Sequence, residues 1–304
     1  MMRILIILLL FVSDVHGQII NASSPYVPLY LLDQAGGATV AYSLRKLSSY
    51  ATVAVRVRKD TTGQPEQDIG FLSSGILDTV SLKNFISGRN AYVTKWYNQA
   101  STGSTYDLVQ STQSAQPRIA IAGVLMRNNR IAGDANNSLM VDFNSSSQFF
   151  DIPTFNLIIP CTISAVVRPF GTSSTGFFNY QSNTTTDNPE IRFGINSNAN
   201  PRIGVYWNGA YVVSSTTTYM NSTLQVMSAS FSSGIAFDFR INAASIISGT
   251  RSGTWSTSVK SMQLGRYTGI GYSGAHLSEF IIWNNVSVNS AIIESNQNSH
   301  YAIY

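Results

Sequence analysis

The residues of this chain that could do chemistry are few. Glu190 directly precedes an alternating run, Ile191-Arg192-Phe193-Gly194-Ile195, and Glu279 lies inside Leu277-Ser278-Glu279-Phe280-Ile281. Each carboxylate reads in two ways: as a strand residue that is hydrated or bonded to its neighbours, or as an acid, base or nucleophile in a cleft. The three histidines, His16, His276 and His300, have no metal-ligand spacing, and no acidic calcium loop occurs. No nucleophile-elbow motif accompanies His276, and no Gly-rich phosphate loop follows a strand. No metal and no cofactor is therefore expected. The aromatic residues are more informative. Phe177, Tyr206, Trp207, Tyr267 and Tyr272, with Trp96, Tyr97 and Trp255, are candidates for stacking on sugar rings. A ring offers an apolar face, and Tyr and Trp add a polar tip. The competing reading places the same side chains in a core or in hairpin packing.

The elements that would hold these residues are strands. The chain is 44% hydrophobic but only 11% charged, against about a quarter in ordinary domains. Ser, Thr and Asn fill the polar positions instead, which suits sheet faces better than long exposed helices. The net charge of +4 is spread thinly. The densest basic group, Arg56, Arg58 and Lys59, alternates along a strand and reads as a solvated face, so no nucleic-acid partner is expected. Period-two alternation recurs at Val53-Val55-Val57, Ile191-Phe193-Ile195, Ile203-Val205-Trp207 and Ile235-Phe237-Phe239-Ile241. Helical signals are short. Thr39 is a possible cap for Val40, Leu44 and Leu47; Asp78 for Leu82, Phe85 and Ile86; and a last helix begins near Asn289 with Ile292 and Ile293. The pattern predicts an all-β fold, an antiparallel two-sheet jelly-roll sandwich with a few short helices. Ile163, Ala165, Val167, Phe237, Phe239 and Ile281 are expected between the sheets. Cys161 is the single cysteine. It shares the face of Ile163, Ala165 and Val167, reads as a buried thiol, and leaves stability to the core rather than to internal disulfides.

The first residues carry a different signal. Met1-Met2-Arg3 is a short positive region, Ile4 to Val12 is unbroken apolar, and Ser13 to Gly17 ends in Val15-His16-Gly17. This is the pattern of a secretory signal peptide over 1–17, too short to span a bilayer. A lead-in over 18–37 and one domain over 38–304 follow, because no long linker or fixed repeat divides the chain. An extracellular location without a membrane span is expected. Six N-x-Ser/Thr sequons stand at Asn21, Asn136, Asn144, Asn183, Asn221 and Asn285. A chain so rich in these residues acquires about that many by chance, so they permit a glycoprotein without arguing for one.

Two longer stretches carry a resemblance. Val141-Asp-Phe-Asn144, Phe149-Phe-Asp-Ile-Pro153 and Thr162-Ile-Ser-Ala-Val-Val-Arg-Pro169 resemble the opening of a laminin-G or pentraxin-like sandwich. Leu264-Gly265-Arg266 and Tyr272-Ser-Gly-Ala-His-Leu-Ser-Glu-Phe-Ile-Ile-Trp-Asn284 resemble its closing strands, so a laminin-G-like part spans about 138–304. The series Ala41 to Leu47, Val55 to Arg58, Asp68 to Phe71, Leu77 to Thr79, Val93 to Gln99 and Gln116 to Ile119 resembles the catalytic domain of fungal and bacterial arabinofuranosidase B. That resemblance runs from about residue 38 to the end. It implies a concanavalin-like sandwich acting on terminal arabinofuranosyl groups with retention, which takes a nucleophile and a separate acid/base.

The family's nucleophile follows a Phe-Asp-Tyr segment; here Phe178-Asn179-Tyr180 precedes Glu190, which matches. Its acid follows a Leu-Gly pair; here Leu264-Gly265-Arg266-Tyr267-Thr268-Gly269 holds no carboxylate. Gly176 and Phe177 stand where the family has adjacent cysteines, and Tyr97-Asn98-Gln99-Ala100-Ser101 where it has Tyr-Asp-Gln-Ser-Gly. The resemblance therefore implies a carbohydrate partner, with Glu279 as the remaining acid/base candidate. Three readings stay open: a glycan-binding module with lost or weak hydrolysis, an active retaining arabinofuranosidase, and a structural or adhesion protein of a cell or virion surface. The leader makes a direct prediction. N-terminal sequencing of the exported protein should begin at Gln18, and a mature protein that still begins at Met1 would refute the assignment.

Overall fold

The computed structural model describes residues 30–304, apart from 101–102, 128–137, 145, 171–175, 182–189, 196–200, 208–209, 214–222, 234–235, 251–254, 256–259, 268–270 and 273. At 176, 181, 190, 194–195, 201–207, 210–213 and 267 it describes the backbone alone. The leader expected over 1–17 and most of the lead-in expected over 18–37 lie outside the described residues.

The run Phe280-Ile281-Ile282-Trp283 is apolar on both sides of a strand, so it needs cover on both faces. The eleven-residue strand Gly274–Asn284 receives that cover at the middle of the larger sheet. Cys161–Pro169 pairs along one edge. On the other edge Val141–Asn144 pairs its first half, and Ala38–Ser43 pairs its second half, with Ser43 opposite Glu279. Outward on one side follow Gln225–Phe231, Ala236–Ile241 and Ala244–Thr250; on the other follow Arg118–Ile121, Ala91–Trp96, Val53–Lys59 and Glu66–Gly70. The smaller sheet runs Ala210–Val213, Pro201–Trp207, Glu190–Ile195, Gly176–Gln181, Ser261–Leu264, Phe150–Ile152. The described pairings within both sheets are antiparallel. The expected two-sheet β-sandwich is the observed fold.

The core fills the gap between the sheets. Ile163, Ala165, Val167, Phe237 and Phe239 meet Phe178, Tyr180, Ile191, Phe193 and Leu264, with Cys161 buried among them. Phe178 joins the layers, with ring centres 4.8 Å from Phe280 and 5.8 Å from Phe193. Asn242 and Ala243 both adopt positive φ between Ile241 and Ala244, the left-handed pair that a tight hairpin turn requires.

Three expectations change. Ile281 is buried, but on the other side of the larger sheet, against Leu31, Leu32, Trp283 and Ile293. An unbroken apolar run does not reveal which of its residues faces which layer. Thr39 starts no helix, because Ala38–Ser43 is a strand with Val40 and Tyr42 in the main core and Ala41 on the opposite face. Arg58 is buried rather than solvated; its guanidinium donates to Gln116 and Gln64 and packs on the Tyr92 ring.

The helices are α1 (Leu31–Gln34), α2 (Thr79–Ile86) and α3 (Ser290–Tyr301). Asp78 caps α2 by accepting from the Ser81 amide, and Asn289 caps α3 by accepting from the Ala291 amide. No helix among the described residues is long and apolar enough to cross a membrane. Because Phe239 is fully buried, Phe239→Ala should lower the free energy of unfolding by about 3–5 kcal/mol in denaturant titrations. Val80→Ala, on the exposed side of α2, should change it by less than about 0.5 kcal/mol.

Candidate functional site

The chemistry-bearing residues of the sequence separate onto two sheets. Glu190 opens its strand opposite Tyr206 in the smaller sheet, and the residue after it, Ile191, is fully buried in the core. Alternation sets Arg192 apart from the inward residues Ile191 and Phe193. Arg192 pairs with Asn179, Asn179 with Gln263, and Gln263 with Asp151, so one polar row crosses four strands. The Gln263 amide donates to Asp151 Oδ1 at 2.7 Å, and Arg266 donates to the same oxygen at 3.0 Å. The Asn179 amide donates to the Arg266 carbonyl at 2.7 Å.

The row ends at a short hairpin, Arg266–Tyr267 paired with Gly271–Tyr272. Here the Arg266 guanidinium carbon sits 3.4 Å from the centre of the Phe149 ring, and that ring lies 6.2 Å from Tyr272. The result is a half-buried aromatic pair with a cation across it and the exposed Asp151 carboxylate alongside. Such a surface can stack on a ring and accept from hydroxyls. The glycine of the Leu264-Gly265 pair has a structural cause: φ is +84°, and a Cβ there would overlap the Phe143 ring and the Gln148 carbonyl. The side chains of Glu190, Tyr206, Trp207 and Tyr267 lie outside the described residues.

Glu279 stands in the larger sheet, fully buried beneath α3. Arg45 donates to it through Nε at 2.7 Å and through a second nitrogen at 3.1 Å. Ser43 at 3.1 Å, Gln297 at 3.0 Å and Tyr301 at 3.2 Å donate as well. Burial alone would raise its carboxyl, but the Arg45 charge and the donated hydrogen bonds hold it below the usual range. An acid/base has to be reached by substrate and to hold its proton near the working pH. Glu279 does neither, and its role is that of a structural ion-pair partner. Phe177 is also corrected. A register irregularity between Gly176 and Phe178 accompanies the burial of both Phe177 and Phe178 in the core, and Phe177 packs 5.9 Å from Phe193. His276 lies 3.2 Å from Asp142, which Arg118 holds at 2.6 Å, a row of polar contacts on the larger sheet.

One cleft went unnoticed in the sequence. It holds 390 Å³ and is lined in part by Tyr50, Asp68, Tyr97, Asn98 and Asp107. The Tyr97 hydroxyl donates to Asp68 Oδ1 at 2.8 Å; burial first, then Asp68, push that phenol up to about 12. Arg56 holds Asp68 on both oxygens. Tyr97 is among the aromatic candidates, but the two aspartates come from separate segments that only the strand pairing brings together. The neighbouring Asn98 and Gln99 are structural. Asn98 accepts from the Ala41 amide, and Gln99 bridges the backbone at Ser43, Arg45 and Leu47.

Several solved structures share this architecture. A GH54 α-L-arabinofuranosidase soaked with a cyclic sulfate inhibitor aligns over 88% of this chain with a TM-score of 0.62 at 14% identity. A mutant GH54 α-L-arabinofuranosidase soaked with 4-nitrophenyl α-L-arabinofuranoside gives 0.62 at 15% identity, and an arabinofuranosidase complexed with arabinofuranosyl-α-1,2-xylobiose gives 0.58 at 15%. In each case the matched region spans 63% of the solved chain. At these identities the likeness is one of fold: this chain has an arabinofuranosidase-like β-sandwich. No family model matches the sequence, and no curated protein matches it.

The Glu279 site predicts a pH dependence. A carboxyl held lower in the folded than in the unfolded protein contributes stability that is complete above the unfolded pKa and is lost as pH falls through the folded one. Unfolding by denaturant should therefore become easier as pH drops below about 4. Glu279→Gln should flatten part of that slope. At neutral pH the same change should cost about 3–5 kcal/mol, because Arg45 stays buried without its counter-charge.

Proposed function

We propose that this chain is a secreted carbohydrate-recognising module that binds glycans bearing terminal arabinofuranosyl groups without cleaving them efficiently. The ligand would lie across the smaller sheet, with Tyr272, Tyr267, Tyr206 and Trp207 as stacking surfaces and Glu190 and Asp151 as hydroxyl acceptors. The arabinofuranosidase-like architecture over 88% of the chain supports the ligand class. The observation that carries the non-hydrolytic reading is the position of Glu279.

Retention takes two carboxylates about 5–5.5 Å apart, one to attack the sugar and one to protonate the leaving oxygen. Glu190 matches the first in sequence. The loop after Leu264-Gly265 offers Arg266, Tyr267 and Thr268, none of them an acid near neutral pH. Glu279, the nearest carboxylate downstream, is ionised, buried and bound to Arg45 in the other sheet. A sugar held beside Glu190 thus gains acceptors and stacking but no proton donor from Glu279.

The test combines turnover with binding. Wild type and Glu190→Gln should release 4-nitrophenol from 4-nitrophenyl α-L-arabinofuranoside at the same near-background rate. Calorimetric titration with an arabino-oligosaccharide should show binding to wild type, weakened about 2–10-fold in Tyr272→Ala. A wild-type rate far above background that collapses in Glu190→Gln would make the protein a retaining arabinofuranosidase. No binding and no turnover would leave a structural or adhesion role.

A further inference from the structure

A second cleft, of 780 Å³, lies on the opposite side of the larger sheet, between α3, α1 and the segments around Lys46 and Gly75. Its walls mix hydroxyls and amides, Gln34 from α1 and Ser295, Asn296 and Ser299 from α3, with the apolar surfaces of Tyr30, Ala291 and Ile292. Arg45 lies at its base. One guanidinium nitrogen donates to Asn296 Oδ1 at 2.8 Å, while Nε and the other nitrogen hold Glu279. A smaller cleft of 270 Å³ is lined by the same Arg45 and by His300, so these two side chains are common to both spaces.

The charge of this region is one-sided. Glu279 balances Arg45 from behind. The Lys46 ammonium, 5.2 Å from the centre of the Tyr30 ring, adds a second cation. Among the described residues no carboxylate lines either cleft. Burial, together with the Arg45 charge, pushes His300 down to about 4, so above pH 5 it offers a neutral imidazole, one donor and one acceptor. The volume falls within the range of small-molecule sites, about 300–1,000 Å³. The hydroxyls and amides match the hydroxyls of a sugar, and the apolar part of the wall matches the C–H face of its ring. A strongly hydrated ammonium, though, is best compensated by an anion when a ligand displaces its water.

We infer that this cleft is a second ligand site, taking a sugar that carries a carboxylate, a hexuronic acid unit, with its carboxylate on Lys46 and its hydroxyls on the α3 wall. The site does not depend on the smaller-sheet reading. It uses other residues, another face of the molecule and another ligand charge.

Galacturonic acid and galactose differ by a carboxylate in place of a hydroxymethyl, so titrating the whole protein with each isolates the charge. At low salt galacturonic acid should bind about tenfold or more tightly than galactose, a difference of about 1.4 kcal/mol. Raising the ionic strength to about 0.5 M should shrink that margin. Lys46→Gln should abolish it. Ser299→Trp, on the exposed side of α3, fills the cleft without touching the core and should remove binding of both sugars. Arabino-oligosaccharide binding should be unchanged in both variants. Equal affinity for the two sugars, no binding of galacturonic acid, or a Ser299→Trp protein that still binds it as wild type does would each overturn the assignment.

Discussion

A charge in the middle of a doubly covered strand has to be neutralised where it stands. Gly274–Asn284 carries one carboxylate, Glu279, beside the apolar run Phe280 to Trp283 that faces both layers, and water cannot reach that carboxylate. Burial of an ion costs several kcal/mol unless a partner and hydrogen bonds replace its hydration. Arg45, Ser43, Gln297 and Tyr301 provide that replacement, and they come from both ends of the described chain. Satisfying one carboxylate therefore seats the segment from Ala38 onto the sheet and lays α3 across its back. Gln99 then clamps the same segment through the backbone at Ser43, Arg45 and Leu47. The strand Ala38–Ser43 is seated on the larger sheet in this way, while the other N-terminal strands join it through the pairing of Arg118 with Asp142.

The division between the two sheets also organises the chemistry. The smaller sheet carries an exposed carboxylate, a guanidinium on a ring and a hairpin fixed by Gly265. The larger sheet turns its back to α3 and encloses its polar groups in pairs: Ser164 with Gln297, Ser228 and Arg240 with Glu294. A fold shared with sugar-cleaving enzymes fixes where side chains stand, but not which side chains they are. In this chain the closing strand keeps its place while its carboxylate is held by an arginine.

Much of the architecture was legible because alternation reports one buried face. Val55 and Val57, and Phe237-Phe239-Ile241, lie where that pattern puts them, Cys161 shares the buried face of Ile163, and Asp78 and Asn289 cap the helices their side chains suggest. The misreadings have one physical source. Where a strand is covered on both sides, its pattern loses the period that distinguishes faces. So Val40, Leu44 and Leu47 resemble a helix stripe, and the sequence pattern assigns Ile281 to the layer opposite the one it faces. Phe177 was missed because a break in register undoes alternation locally. The site was less legible. Arg45 with Glu279, and Asp68 with Tyr97 and Asp107, are contacts between distant segments, and nothing local in the sequence announces them.

The Arg45–Glu279 contact spans 234 positions along the chain. Local hairpins such as 236–250 form within microseconds, whereas a seam between remote segments waits on a slow search through loop closure. During that wait the free edge of the closing strand is a long, greasy template for any strand that meets it. A negative charge at its centre makes most such encounters unfavourable, because only a segment bringing its own cation can bury it. The ion pair thus makes that edge selective by charge: a neighbour without a cation would leave the carboxylate buried and uncompensated.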